Sequence, residues 1–197
     1  MQIQQLSHAS GPLWQSAMAI YQDVFPQWER ESEQDIAQAV NAGRSRAIVI
    51  CQGDQVLGMS LTEMYPQLSF AMLGYLFIAP SHQGQGLGKR LCDELFDFFD
   101  PHPEFTWLLV EAESGPEQFY KRLGFTTFDF EYLSPHYDDE HATPMALMYH
   151  TKPNAALPNA EQLCQIVAHI FNHSYYLSME DPRLKQQLET IRSKDEV

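Results

Sequence analysis

Residues 70–89 have the sequence FAMLGYLFIAPSHQGQGLGK, which is the most informative stretch of the chain. Its first ten residues are almost continuously apolar, which is typical of a strand covered on both faces. Three glycines follow at alternate positions, Gly84, Gly86 and Gly88, and an amphipathic helix is predicted over 87–99. Glycines leave backbone N–H groups unobstructed, and a helix N-terminus adds the positive end of its dipole. The stretch therefore predicts an anion site suited to a pyrophosphate.

Two common phosphate-binding patterns do not fit this stretch. The pattern G-x-G-x-x-G, counted from Gly84, requires a glycine at the position that Lys89 occupies. The P-loop fails because Gln83 lies five residues before Gly88, and because Arg90 replaces the Ser or Thr that holds magnesium. A plain glycine-rich turn is the remaining alternative, although such a turn needs one or two glycines rather than three.

The composition describes a folded and strongly acidic chain. Of its 197 residues 44% are hydrophobic, and 12 Lys and Arg against 26 Asp and Glu give a net charge of −14. This length can bury a sizeable core, and the acidity disfavours binding to nucleic-acid phosphates. No apolar run approaches the roughly 18–20 residues of a membrane span, and the N-terminus lacks the features of a signal peptide. We therefore expect a cytoplasmic protein with neither a membrane nor a nucleic-acid partner.

The cysteines and histidines indicate no metal or redox site. Cys51, Cys92 and Cys164 are far apart, which excludes a disulfide framework and any CxxC motif. His169 and His173 lie four residues apart on a predicted helix, a spacing that a metal pair can use. The flanking sequence offers no obvious third ligand, so a polar helix face is the simpler interpretation, and we expect no metal.

The order of the predicted elements indicates a mixed α/β layer architecture. A capping box is predicted at Ser114 and Glu117, where the fourth helix begins. Hydrophobic periodicity and turn residues place the elements as follows: strand 2–8, helices 12–25 and 32–42, strands 45–51, 55–65 and 70–79, helix 87–99, strand 106–112, helix 114–123, and strands 125–133 and 145–149.

Two blocks carry a resemblance to a known family. Residues 83–88, QGQGLG, match the pattern Gln/Arg-x-x-Gly-x-Gly/Ala, and residues 119–125, FYKRLGF, contain a Tyr-x-x-x-Gly-Phe sequence. In both respects the chain resembles the GNAT superfamily of acyl-CoA-dependent N-acyltransferases. The resemblance implies a GNAT fold, in which helices flank a central, mostly antiparallel mixed sheet, and it implies acetyl-CoA as co-substrate. It covers about 1–150 in element order, and residue by residue about 75–90 and 108–125.

The resemblance also implies roles for particular residues. Tyr120 matches the tyrosine that lies near the sulfur of coenzyme A, and so counts among the cofactor-binding residues, and that protonates the departing thiolate; a packing role on a short helix is the alternative. Arg90 could add charge for the phosphates. The residues implied in cofactor binding are Leu76, Phe77 and Ile78, whose backbone matches the segment that pairs with the pantetheine arm, and Gln83, Gly84, Gln85, Gly86, Leu87, Gly88 and Lys89 around the pyrophosphate.

The general base stays open among three glutamates. Glu111 matches a glutamate of the fifth strand that serves as base in some relatives, and Glu113 is expected on the same strand face. Glu63 on the third strand is the competitor, and solvated edge positions for all three are the alternative. The chain departs from many relatives in one respect: the connection 114–116, Ser-Gly-Pro, lacks their cofactor-contacting Asn.

Residues 151–197 extend beyond a typical GNAT core. A linker is predicted over 152–158, followed by a helix capped by Asn159 and a second helix that begins at Asp181-Pro182. Some forty residues cannot form a stable core alone, so their apolar stripes must bury against the 1–150 domain, a second subunit or each other. A homodimer contact and a lid over the acceptor site both stay open.

The function expected from these features is transfer of the acetyl group of acetyl-CoA to a primary amine, by direct attack in a ternary complex. The acceptor would be a small-molecule amine or a peptide amine. The acidic residues Asp138, Asp139 and Glu140 could attract a cationic amine, or the charge could serve solubility alone. The alternatives are a non-catalytic acyl-CoA-binding or interaction module that uses the C-terminal helices, and a nucleotide-binding protein.

Overall fold

Four antiparallel strands form the sheet of the first part of the chain, and they lie side by side in the order in which they follow one another in the sequence. The structure is a computed structural model that describes residues 1–194. Three helices accompany the sheet. The bounds of these elements are β1 (Gln2–Leu6), α1 (Gly11–Val24), α2 (Glu33–Asn41), β2 (Ser45–Gln52), β3 (Gln55–Tyr65), β4 (Phe70–Ile78) and α3 (Leu87–Phe99).

Both faces of this sheet are buried, as the apolar strand sequences predict. Along β2 the side chains alternate: Ala47 and Val49 pack in the cluster that holds α1 and α2, whereas Ile48 and Ile50 pack against α3. A strand whose side chains alternate with period two cannot shift its register by one residue without exchanging its two faces. The two helical layers therefore hold the register of the strands between them.

The chain divides into two compact units, Met1–Leu109 and a second that starts at Val110. Strand β5 (Trp107–Ala112) crosses this boundary. In the second unit two short strands both pair antiparallel with the last strand. The bounds of its elements are α4 (Ser114–Arg122), β6 (Thr126–Thr127), β7 (Tyr132–Pro135), β8 (Ala142–Thr151), α5 (Ala160–His173) and α6 (Pro182–Lys194). Antiparallel strands flanked by helices confirm the predicted fold class.

The single strand predicted over 125–133 is wrong, because the chain forms two short strands there. Thr127 pairs with Met148 and Tyr132 with Met145, so four residues separate β6 from β7 where β8 has only two between the paired positions. The two extra residues interrupt the hydrogen-bond ladder. An insertion of two residues keeps the alternation of faces in phase, so the sequence pattern could not reveal the break.

The helix ends follow the cap predictions in one case and depart from them in another. Asn159 caps α5 in a reciprocal capping box with Gln162. The box predicted at Ser114 and Glu117 is wrong: Ser114 is already the first helical residue of α4. Glu117 instead accepts hydrogen bonds from Thr127 and Lys121, and the latter bond holds the pKa of its carboxyl below the usual range.

The two C-terminal helices pack within the second unit through apolar stripes and one buried amide. The ring of Phe171 lies 5.9 Å from that of Tyr132, centroid to centroid. The predicted apolar stripe of α5 is buried throughout and consists of Leu163, Ile166, Val167, Ile170 and Phe171. Gln187 on α6 accepts the backbone N–H of Leu133 at 2.9 Å and donates to the carbonyl of Glu131 at 2.9 Å. Its side chain thereby binds the edge of β7 as a neighbouring strand would. The domain boundary expected at residue 150 stays a prediction.

His169 and His173 on α5 stack with ring centroids 3.8 Å apart. Burial, followed by the neighbouring His173, lowers the pKa of His169 to about 4. The side chain of His169 is therefore uncharged at neutral pH.

No helix within residues 1–194 has both the length and the apolar character that crossing a membrane requires.

We expect Gln187→Ala to lower the free energy of unfolding by about 1–3 kcal/mol, because it leaves the half-buried backbone N–H of Leu133 without this partner and removes the bond to the carbonyl of Glu131. Urea unfolding followed by circular dichroism measures the loss. Gln186→Ala, at the exposed neighbouring position, is the matched control and should change the midpoint little. Equal midpoints for the two variants would contradict the anchoring role of Gln187.

Candidate functional site

The glycine loop between β4 and α3 has the open backbone that an anion requires. Gly84 and Gly86 adopt φ values of +73° and +77°, a left-handed conformation that favours glycine. Apart from the glycine itself and its two chain neighbours, no atom of residues 1–194 lies within 4 Å of the position that a Cβ would take on either residue. Gly86 is the N-cap of α3, so the first backbone N–H groups of the helix lack intrahelical partners at this point. The loop can therefore accept a phosphate along its backbone.

Two glutamine side chains of the loop donate hydrogen bonds to backbone carbonyls that precede them in the chain. Gln83 donates from Nε2 to the carbonyl of Ile78 at 3.2 Å, and Gln85 donates to that of Ser81 at 3.4 Å. Lys89 lies exposed and pairs with Asp93 at 2.7 Å, one turn further along α3. Exposed ion pairs of this kind contribute about 0–1 kcal/mol, so Lys89 can exchange Asp93 for a phosphate at little cost.

The segment 76–78 at the end of β4 is held by close contact with β3. Phe77 is buried in the cluster with α1, and Leu76 and Ile78 pack on the side of α3. Opposite them, a Cβ on Gly58 would lie 2.6 Å from the carbonyl oxygen of Phe77 and would also collide with Ile78. Only a glycine allows this approach. Sequence reasoning missed Gly58, although a glycine inside a strand pattern is a known signal of close backbone approach.

A β-bulge at Gly74 lies in the middle of β4, before the segment 76–78. Leu73 pairs with Thr62 and Tyr75 with Leu61, so Gly74 is an extra residue in the ladder. Glu63 covers this bulge: its Oε1 lies 3.1 Å from the position of a Cβ on Gly74, and it accepts a hydrogen bond from the hydroxyl of Tyr65. Glu63 is the base candidate that belongs to the first unit, and it lies beside the bulge.

In the second unit, Tyr120 lies on α4 with only 6% of its surface exposed. Its ring meets those of Phe119 at 5.1 Å and Phe125 at 5.6 Å. The backbone N–H of Phe125 returns to the carbonyl of Tyr120 at 3.1 Å, across the turn at Gly124, where φ is +92°. The Tyr-x-x-x-Gly-Phe sequence therefore closes α4 and fixes the position of the tyrosine.

The carboxylate of Glu111, on β5, is bound by two tyrosines of the second unit. The hydroxyl of Tyr132 donates to Oε1, and that of Tyr175 donates to Oε2 at 2.5 Å. Glu111 is half-buried, whereas Glu113 is exposed and lies beyond the end of β5, at the N-cap of α4. The expectation that Glu113 shares a strand face with Glu111 is therefore wrong. Sequence reasoning missed Tyr132 and Tyr175 as partners of the carboxylate.

The acidic loop before β8 is held together by its own side chains. Asp139 accepts from the backbone N–H of His141 at 2.7 Å and lies 3.0 Å from His136 and 3.1 Å from the His141 ring. The backbone bond from His141 is the largest cause that lowers the pKa of Asp139. The donor atoms of these three side chains are close enough to hold a metal ion, a grouping that the sequence did not indicate.

Comparison with known proteins identifies the family. A family model for the acetyltransferase (GNAT) domain matches residues 19–147, which is more than half of the chain. The chain belongs to the GNAT acetyltransferase family. The match confirms the resemblance of the two sequence blocks, and the GNAT protein is therefore an acetyltransferase. No curated protein sequence matches it.

Solved structures share the fold of this GNAT protein at low sequence identity. A GNAT-family acetyltransferase from Bacteroides thetaiotaomicron has a TM-score of 0.73 and 19% identity, and the match covers 90% of this chain and 100% of that one. An aminoglycoside 6'-N-acetyltransferase in complex with coenzyme A has a TM-score of 0.63 and 14% identity over 78% of this chain and 100% of that one. The Escherichia coli ribosomal-protein-S18-alanine N-acetyltransferase has a TM-score of 0.59 and 21% identity, covering 80% and 99%.

We expect Gly58→Ala to displace the end of β4, because the added methyl group collides with the Phe77 carbonyl rather than with a flexible side chain. The free energy of unfolding should fall by about 1–3 kcal/mol, and the dissociation constant for acetyl-CoA should rise as the segment 76–78 moves. Urea unfolding and calorimetric titration measure the two effects. The control is Gly115→Ala, whose Cβ would lie in open space. A Gly58→Ala variant as stable as this control would show that the approach of β3 to β4 does not require a glycine.

Proposed function

We propose that this GNAT protein transfers the acetyl group of acetyl-CoA to a primary amine by direct attack in a ternary complex. The observation that carries the proposal is the open glycine loop at the N-terminus of α3, with left-handed φ values at Gly84 and Gly86. Backbone N–H groups at a helix N-terminus suit a pyrophosphate, which coenzyme A contains. A cytoplasmic location and a homodimer stay predictions.

The proposed binding residues for acetyl-CoA lie in one continuous segment of the first unit. The backbone of Leu76, Phe77 and Ile78 would pair with the pantetheine arm. A Cβ on Gly84 or Gly86 would lie in open space, so a phosphate can approach the backbone of both residues. The remaining members of the proposed pyrophosphate site are Gln83, Gln85, Leu87, Gly88 and Lys89.

When bound, acetyl-CoA supplies an acetyl group activated as a thioester. In the proposed reaction Glu111, directly or through a water molecule, accepts the proton that the amine loses as its nitrogen bonds to the carbonyl carbon. Tyr120 donates its phenolic proton to the sulfur as the carbon–sulfur bond breaks, so that the thiol leaves neutral. Glu63 is the alternative base. Positioning of the two substrates supplies the rest of the acceleration.

The proposed acceptor is a primary amine, and the similar structures and the net charge indicate which amines to test. The similar structures include enzymes named for an aminoglycoside and for the alanine of a ribosomal protein. A net charge of −14 favours the approach of a cationic amine. The acceptors to test are therefore spermidine, kanamycin and a peptide with an N-terminal alanine.

We expect acetyl-CoA to stabilise the protein against heat, by about 2.7 kcal/mol at a concentration of 100 times the dissociation constant. Differential scanning fluorimetry measures the shift, with ATP plus magnesium and NAD as controls that should have no effect. Release of coenzyme A thiol on addition of one of the three amines would then establish transfer. Stabilisation by ATP plus magnesium alone would contradict the proposal and favour a nucleotide site.

We expect Tyr120→Phe to lower kcat about 100-fold, because general acid catalysis contributes roughly 10²–10⁴-fold. The KM for acetyl-CoA should stay unchanged, since the ring keeps its packing against Phe119 and Phe125. Thiol release at saturating acetyl-CoA measures the loss, and Tyr149→Phe in the same unit is the matched control. Wild-type kcat in Tyr120→Phe would favour the packing role instead.

A further inference from the structure

We propose that Tyr175, in the turn after α5, is a positioning residue for Glu111, so that the C-terminal segment supplies part of the catalytic site. This inference rests on the proposed function, in which Glu111 is the base. It goes beyond the family resemblance, because Tyr175 lies outside the family match at 19–147 and outside the two blocks that carry the resemblance. The supporting contacts all lie within the second unit.

The two oxygens of Glu111 have separate phenolic donors. Tyr132 donates to Oε1 and Tyr175 to Oε2, the latter at 2.5 Å. Tyr132 is buried, and burial followed by the charge of Glu111 raises its pKa well above the ordinary value, so it remains a proton donor. Hydrogen bonds to a carboxylate favour its charged form. Because each oxygen has its own donor, the two bonds together prevent the carboxylate of Glu111 from rotating.

Tyr175 is itself oriented by a second hydroxyl. Its oxygen lies 2.7 Å from Oγ of the buried Ser134 on β7. Because the single phenolic proton of Tyr175 is directed to Glu111, Ser134 must be the donor of this bond. The three groups form a directed chain, from Ser134 to Tyr175 to Glu111, in which each bond polarises the next.

The turn that carries Tyr175 is fixed by backbone and side-chain bonds. The N–H of Leu177 donates to the carbonyl of Phe171 at 2.9 Å, and Nδ2 of Asn172 donates to the carbonyl of Leu177 at 2.7 Å. The ring of Tyr175 meets that of Tyr137 at 4.9 Å. These contacts hold the hydroxyl in place before any substrate binds, which is the condition for a group that positions a base.

A double-mutant cycle on the full chain tests the inference. The variants are Tyr175→Phe, Glu111→Gln and the two combined, and Tyr176→Phe, at the exposed neighbouring residue, is the matched control. We expect Tyr175→Phe to lower kcat about tenfold, which corresponds to about 1.4 kcal/mol, with an unchanged KM for acetyl-CoA. In the Glu111→Gln background the same substitution should have no further effect on kcat, because Tyr175 acts through the carboxylate.

The readout is thiol release with whichever of spermidine, kanamycin or the alanine peptide the wild-type protein acetylates. A tenfold loss that persists in the Glu111→Gln background would assign Tyr175 a structural role and overturn the inference, and so would wild-type kcat in Tyr175→Phe. Should Tyr175→Phe fold poorly, as judged by its thermal midpoint, Ser134→Ala keeps the phenol and removes only its donor. It should lower kcat less than tenfold, again without effect in Glu111→Gln.

The failure of this inference is distinguishable from failure of the proposed function. If the wild-type protein is neither stabilised by acetyl-CoA nor releases thiol with any of the three amines, the proposed function fails and the inference falls with it. If the wild-type protein is active and the cycle is additive, only the role of Tyr175 is overturned.

Discussion

The pairing of β3 with β4 is the constraint on which the first unit depends. Gly58 lets the two backbones approach at Phe77, and the bulge at Gly74 adds one residue to β4 before that contact. Since β4 leads within a few residues to Gly84 and Gly86, the register of this pair determines where the glycine loop leaves the sheet. Helices cover both faces of the sheet, so a slip of one residue would expose apolar side chains on each.

In the second unit, buried polar bonds decide how the C-terminal helices pack. An apolar stripe alone allows a helix to slide or rotate against its neighbours, whereas a buried polar group is stable only where its partner lies. Gln187 places α6 against the backbone of β7, and Tyr175 places the turn after α5 against Glu111. The same bonds that specify this packing also bring a hydroxyl to the proposed base.

A fold shared by many acetyltransferases does not specify the amine that each one accepts. In the acidic loop 136–141 the carboxylate of Asp139 is engaged by His136 and His141, so its charge serves to hold the loop. The neighbouring Asp138 and Glu140 are exposed.

Local sequence patterns were enough to predict most of the elements and the family. The glycine loop, the Tyr-x-x-x-Gly-Phe block and the bounds of α3 follow from local patterns, because turn chemistry and hydrophobic periodicity act over a few residues. The break after Thr127 escaped prediction, since two inserted residues preserve the period of a strand. Only the tertiary structure decided that Glu111 meets Tyr132 and Tyr175. These residues lie 21 and 64 positions away along the chain, and no local pattern encodes a hydrogen bond between side chains that folding alone brings together.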